Sequence, residues 1–202
     1  MKIVKIISVD LQKDFADPKG KHFKPRPSVE FVKNILVPFL REKNIKIFEI
    51  ISDYRMPRLE GKRDSCHPGE WGYESEIPED VKDKNIWVKC MNSPEWIRDG
   101  IGDKNKTPGL PYPDPKKYDE WLIKTIGKPE DNKIIVLIGL TLDCCVLSTA
   151  QTLNFRGYKV YVLNEAVDVY SGDQKEKEYL LNHVPIKNWA SPISFEEFKK
   201  LV

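Results

Sequence analysis

No apolar run in the chain approaches the roughly 20 residues that a bilayer-crossing helix needs, so no membrane span is expected. Neither sign of charge prevails: 33 basic and 31 acidic residues among 202 leave a formal net charge of +2. Such a balanced field offers no basic stripe to a phosphate backbone or an anionic lipid surface, and the lysine clusters carry no interleaved aromatics. Neither nucleic acid nor membrane is expected as a partner. Cysteine is scarce too. Cys66, Cys90, Cys144 and Cys145 are too sparse to staple a chain of this length, and the opening MKIVKIISVD is too short in its apolar part for a secretion signal. A cytoplasmic protein with free thiols is therefore expected. Repeats and low-complexity segments are missing as well, while 40% hydrophobic residues supply one substantial core, so residues 1–202 read as one domain.

Aliphatic runs at 3–10, 45–52, 85–89, 133–140 and 158–163 alternate with helical spacing, and this alternation defines the fold class. Val29, Val32, Ile35, Leu36, Phe39 and Leu40 mark a helix over 29–43, with Pro27 and Ser28 at its start; residues 143–156 form a second helix that Gly157 closes. Further helices are expected at 175–181 and 195–202, the last opened by Ser194 with Glu197 at capping-box spacing. A sixth strand is placed near IKNW, 186–189. The pattern predicts an open, doubly wound α/β domain with helices on both faces of a parallel sheet. Two stretches exceed minimal connections: 53–80 reads as an elaborated loop, and 91–116, dense in proline and glycine, as a lid, a binding loop or a subunit contact.

Reactive groups in such sheets gather beyond the carboxyl ends of the strands. Those ends offer Asp10, Asp53, Lys89 and the Asp143, Cys144, Cys145 group. Each alone has an ordinary structural role as cap, surface amine or small core residue. Together they bring an acid, an amine and a thiol from distant segments. Cysteine chemistry needs thiolate, hence a proton acceptor and positive potential nearby; Asp10 suits the first and Lys89, with a helix amino terminus, the second. At 100° per residue, the stripe Val146, Thr149, Ala150 and Leu153 lies nearly opposite Cys144 and about 90° from Cys145. Helix phase thus favours Cys145 as the residue facing the crevice, with Cys144 directed away from that stripe.

Four segments in order resemble the isochorismatase-like cysteine hydrolase family: VDLQKDF at 9–15, GEWGYESEIPED at 69–80, WVK at 87–89 and GLTLDCCVLSTA at 139–150. The resemblance implies a three-layer α/β/α fold around a six-stranded parallel sheet. It implies Asp10 as acid/base, Lys89 as cationic partner and Cys145 as nucleophile. It also implies a cis Leu140–Thr141 peptide and an oxyanion hole made by the backbone N–H groups of Thr141 and Cys145. A small-molecule substrate and a homo-oligomer are implied too, the 91–116 loop being a candidate cover for a neighbouring pocket.

Departures from the family pattern narrow the substrate. Nicotinamidase-like members hold a metal with an Asp-x-His segment and a later histidine before a cysteine, whereas this chain reads Asp53, Tyr54, Arg55 and Ser65, Cys66. Of its three histidines, His22, His67 and His183, only His67 lies near the second metal position, displaced by two residues. No metal or cofactor is expected, and Arg55 is a candidate for binding a substrate carboxylate through its fork of donors. After Lys89 the expected aromatic is displaced: Ser93 keeps a hydroxyl near the family position and Trp96 stands farther on. Phe15, Trp71 and Trp96 are candidate apolar walls, and Gln12 a candidate for orienting water or substrate. The expected reaction is hydrolysis of a small non-peptide amide or a ureido or carbamoyl compound through a thioester. Vinyl-ether hydrolysis of the isochorismate type, and a non-catalytic binding or scaffold protein, remain alternatives.

Overall fold

The computed structural model describes residues 2–59 and 64–202. Six strands, β1 (Ile3–Val9), β2 (Ile47–Ser52), β3 (Trp87–Lys89), β6 (Lys133–Leu140), β7 (Lys159–Asp168) and β8 (Ser191–Ile193), form one sheet in the order β3-β2-β1-β6-β7-β8. Every neighbouring pair is parallel. Two short strands, β4 (Trp96–Ile97) and β5 (Tyr112–Pro113), pair antiparallel in a separate ribbon. The helices are α1 (Lys13–Ala16), α2 (Pro27–Phe31), α3 (Val37–Glu42), α4 (Pro115–Thr125), α5 (Leu147–Phe155), α6 (Gln174–Asn182), α7 (Ile186–Trp189) and α8 (Phe195–Lys199).

Every residue of β2 and of β6 is buried, as strands covered on both faces require. Side chains alternate between two cores. Ile7, Val9, Ile50, Ile135 and Leu137 face α4 and α5, where Tyr118, Leu122, Ala150 and Leu153 close over them. Ile6, Ile47, Ile134, Val136 and Ile138 face the opposite way, onto Val29, Leu36, Leu40 and Phe198. The result is three layers, α/β/α. Ser194 and Glu197 form the reciprocal capping box that opens α8.

Three local expectations need correction. The sixth strand is β8, and IKNW is α7: Ile186 and Trp189 stand three apart on one helical face, the first buried, the second edge-on to Phe155 at 4.9 Å. Second, α4 occupies a stretch where no element was expected, although its signals are ordinary. Asp114 caps it by accepting from the Lys117 N–H, Pro115 begins it, and Tyr118, Trp121 and Leu122 supply the buried face. Third, the helix after β6 starts as a π-helical turn over Leu142–Val146, and the continuous helix formed by α2 and α3 likewise passes through one over Val32–Leu36.

The 91–116 stretch is tied down. Arg98, 2% exposed, donates through Nη1 to the carbonyls of Arg55 (2.8 Å) and Pro57 (3.1 Å). Arg55 donates back to the carbonyls of Gly100, Asp103 and Lys106 at 2.9 to 3.3 Å. The two loops thus clasp each other. No helix among the described residues is long and apolar enough to cross a membrane.

Candidate active site

The carboxyl ends of four strands deliver the polar centre. At the end of β1 the backbone turns through a positive φ of 52° at Asp10, and its N–H bonds the Ile50 carbonyl of β2 at 2.9 Å. Ser52 ends β2 and Lys89 ends β3, two residues that pair across the sheet. Gly139, near the end of β6, holds φ at 114°; a Cβ there would lie 2.0 Å from the Val9 carbonyl oxygen, so only glycine lets β1 and β6 approach this closely. Just beyond β6 the Leu140–Thr141 peptide is cis and the π turn carries Cys145.

Lys89 is the hub. Its Nζ lies 2.8 Å from Asp10 Oδ2, 2.8 Å from Ser52 Oγ, 2.7 Å from the Tyr54 hydroxyl, 3.1 Å from the Met91 carbonyl and 3.4 Å from Cys145 Sγ. Ser52 donates its own hydroxyl to Asp10 Oδ1 at 2.8 Å, so each carboxylate oxygen has a donor. The Tyr54 oxygen stands 3.2 Å from Cys145 Sγ, and Asn92 Oδ1 lies 3.5 Å from the sulfur. Burial opposes the Lys89 ammonium, yet Asp10 and the cysteine outweigh it and hold its pKa above the ordinary lysine value. Burial pushes the Cys145 thiol up to about 12, with Asp10 adding to the rise and Lys89 opposing it. These shifts favour an ammonium at Lys89 and a protonated thiol at Cys145.

A cavity of about 350 Å³ opens above this centre, lined by Asp10, Phe15, Tyr54, Asn92, Thr141 and Cys145 among others. Arg26, Arg58, His22 and Tyr170 complete much of its wall. Of the candidate site residues, Asp10, Lys89 and Cys145 converge, and Phe15 and Thr141 line the cavity.

Other candidates lie elsewhere. Gln12 is fully buried and its amide is committed: Nε2 donates to the carbonyls of Ser52 and Tyr73, and Oε1 accepts from the Ser52 N–H at 2.7 Å. It locks β1 to β2 rather than orienting a substrate. The Arg55 fork grips Asp53, with Nε 2.9 Å from Oδ1 and Nη2 2.6 Å from Oδ2, besides the three loop carbonyls. Its donors are spent on the fold. Trp71 is 40% exposed, under the Lys13 ammonium, and does not line the cavity. Ser93 accepts from the Glu95 N–H in a tight turn, and Trp96 belongs to the β4–β5 ribbon; neither borders the cavity.

Cys144 lines the cavity beside Cys145, a placement that the expectation of its pointing away from the Val146, Thr149, Ala150 and Leu153 stripe did not address. The Val146 N–H reaches back five residues to the Thr141 carbonyl at 3.0 Å, a wider turn than the 100° phase assumes. Tyr54, Asn92 and Arg58 were not anticipated. For Tyr54 a signal existed: it alternates with Asp53 and Arg55 just past β2, so side chains directed away from the centre imply that the one between them is directed inward.

Asp53 does not fit a metal site. Both of its oxygens accept from Arg55, and Oδ2 also takes the Gly102 N–H at 3.0 Å. His67 is engaged with Asp64 at 2.8 Å, and no cluster of three metal-ligating side chains occurs among the described residues.

Residues 117–184, about a third of the chain and including the Cys145 turn, match the sequence model of the isochorismatase domain. No curated protein matches the chain. Among solved structures, pyrazinamidase of Pyrococcus horikoshii in complex with zinc is 20% identical, with 95% of this chain and 99% of that one covered at a TM-score of 0.65. N-carbamoylsarcosine amidase from Thermoplasma acidophilum is 19% identical, covering 96% of each chain at a TM-score of 0.61. An isochorismatase family protein from Desulfovibrio vulgaris is 16% identical over 100% of this chain and 98% of its own, at a TM-score of 0.66. The fold is isochorismatase-like, and over residues 117–184 the sequence matches the isochorismatase domain as well.

Proposed function

We propose that this chain is a cysteine-dependent hydrolase of a small non-peptide amide or a ureido or carbamoyl compound, working through a thioester on Cys145. One observation carries the reading: a single buried ammonium, Lys89, meets both the Asp10 carboxylate at 2.8 Å and the Cys145 sulfur at 3.4 Å beneath one cavity. The cavity, about 350 Å³ with largely apolar walls, suits a small substrate rather than a peptide chain.

In this mechanism the sulfur attacks the substrate carbonyl while its proton passes to Asp10. Coupling the two steps suits a thiol whose pKa burial holds at about 12, because no free thiolate has to persist beforehand. The backbone N–H groups of Thr141 and Cys145 receive the oxyanion. Asp10 then protonates the leaving ammonia or amine, and a water that Asp10 deprotonates releases the acid from the thioester. Lys89 holds the carboxylate in place throughout, with Ser52 fixing its second oxygen. Phe15 packs against the apolar part of the substrate, and no step requires a metal.

Trapping tests the reading. The protein is mixed briefly with a panel of amides, ureido acids and one matched vinyl ether, quenched in acid and weighed by mass spectrometry. An acyl adduct on Cys145 is expected with an amide or ureido compound. Cys145→Ala is expected to abolish ammonia or amine release, Cys144→Ala to reduce it only severalfold, and chelators to leave it unchanged. Full turnover by Cys145→Ala would refute the covalent route.

A further inference from the structure

Lys89 has fewer protons than acceptors, so its donation to the sulfur is not exclusive. An ammonium carries three protons and no lone pair. Five acceptors surround Nζ, and the three nearest, Tyr54, Asp10 and Ser52, stand at 2.7 to 2.8 Å. Cys145 Sγ is the most distant, at 3.4 Å. With three protons for five acceptors, Lys89 cannot serve all of them at once, so its hydrogen bond to the sulfur is shared with the oxygens and leaves room for a second donor there.

We infer that Tyr54 is a further catalytic residue, whose hydroxyl donates a hydrogen bond to the Cys145 thiolate as it forms. The inference rests on the cysteine mechanism above and adds a member to it. Because Lys89 is solely a donor, the Tyr54 oxygen accepts from it, and the one phenolic proton is free to point elsewhere. Two acceptors are within reach, the Met91 carbonyl at 3.3 Å and Sγ at 3.2 Å. While the sulfur is protonated, the S–H is a donor toward Asn92 Oδ1, and the phenol proton rests on Met91. When the thiol proton leaves for Asp10, the sulfur becomes the charged and stronger acceptor. Rotation about one C–O bond then turns the phenol proton from Met91 to sulfur without moving a heavy atom. No bond to the phenol breaks.

Burial, and the cysteine and Asp10 charges, hold the Tyr54 pKa well above the ordinary phenol value. The group therefore stays a neutral donor throughout. Its ring is fixed independently, with the Arg58 guanidinium 3.6 Å above its centroid and Phe15 edge-on at 6.2 Å. The charged and titratable groups facing this point are Asp10 from β1, Lys89 from β3, Arg58 from the loop after β2, and Arg26 and His22 across the cavity.

The test reads thiol chemistry and so does not require the substrate. Iodoacetamide alkylation of the full chain is followed from about pH 7 to about pH 9, with the Cys145 adduct located by peptide mass mapping and Cys145→Ala as the blank. Tyr54→Phe keeps the ring and loses the hydroxyl. Its alkylation rate is expected to fall about tenfold at each pH, a displacement of about one unit along the pH axis. Incorporation of 3-fluorotyrosine, a more acidic phenol, is expected to move the rate the other way in a chain of unaltered fold. An unchanged rate in folded Tyr54→Phe, or no gain with fluorotyrosine, overturns the role. If no amide is turned over but both shifts appear, the reaction assignment fails and the Tyr54 donor stands; turnover with neither shift gives the converse.

Discussion

Asp10 holds its carboxylate on a left-handed backbone, φ 52°, a geometry that aspartate and asparagine tolerate better than most residues. Asp10→Asn therefore keeps the turn while removing the counter-ion of a lysine that is 0% exposed. Stranding that ammonium is expected to cost about 3 kcal/mol in urea unfolding and to abolish turnover. Hydrolysis surviving at wild-type rate would remove Asp10 from the proton path. The same scale shows why some residues were readable and others were not. Asp10, Lys89 and the cysteine pair stand where aliphatic runs end, and the chain alone marks those places. Gln12 and Arg55 carry functional groups equally suited to a ligand or to the fold's own carbonyls, and no local pattern separates the two uses. Only the partners do: Ser52 and Tyr73 for one, Asp53, Gly100, Asp103 and Lys106 for the other.

Between residue and molecule stand the loop clasp and the β1–β6 contact. Arg55 fastens three carbonyls of the 100–106 segment and neutralises the buried Asp53, yet does not border the cavity. Arg55→Met is therefore expected to speed amide hydrogen exchange over residues 98–107 at least tenfold, while Cys145 alkylation keeps its rate; protection unchanged across that segment would show that Arg98 alone holds it. Gly139→Ala acts differently. A methyl 2.0 Å from the Val9 carbonyl forces β1 and β6 apart at the point where Asp10 and Cys145 face each other, and a loss of about 3 kcal/mol or more in the unfolding free energy is expected. Element existence was largely legible because alternation and helical spacing recur over long segments. What escaped was α4, whose cap and buried face follow directly on the proline-rich loop, together with two local features: the five-residue reach from Val146 to Thr141, and the two-residue strands of the ribbon, too short for any periodicity to register.

Across the whole molecule, the order β3-β2-β1-β6-β7-β8 places β1 beside β6, where the chain winds outward in opposite directions. That divergence opens a crevice at the carboxyl ends, and Asp10 and Cys145 flank it. The parallel alternation was visible in sequence; which strands are neighbours depends on long-range pairing. Burying a thiol at that crevice has a consequence for stability. An unfolded cysteine titrates near pH 8.5, and in the fold burial moves Cys145 up to about 12. A raised folded-state pKa means that the contribution is complete below the unfolded value and lost as pH rises toward the folded one. In that window the unfolded chain surrenders a proton that the native chain keeps, and stability falls by about 1.4 kcal/mol per pH unit from this group. Cys66 and Tyr54 move in the same direction but are common to wild type and Cys145→Ala, so the difference between the two proteins isolates Cys145. From about pH 8 to about pH 10 that difference is expected to shift by about 2 kcal/mol against the wild type in urea titrations. A difference that stays constant would mean that the folded thiol titrates like an unfolded one, and a shift in favour of the wild type would mean that the sulfur rests as thiolate, with Lys89 and Tyr54 prevailing over burial before any substrate arrives.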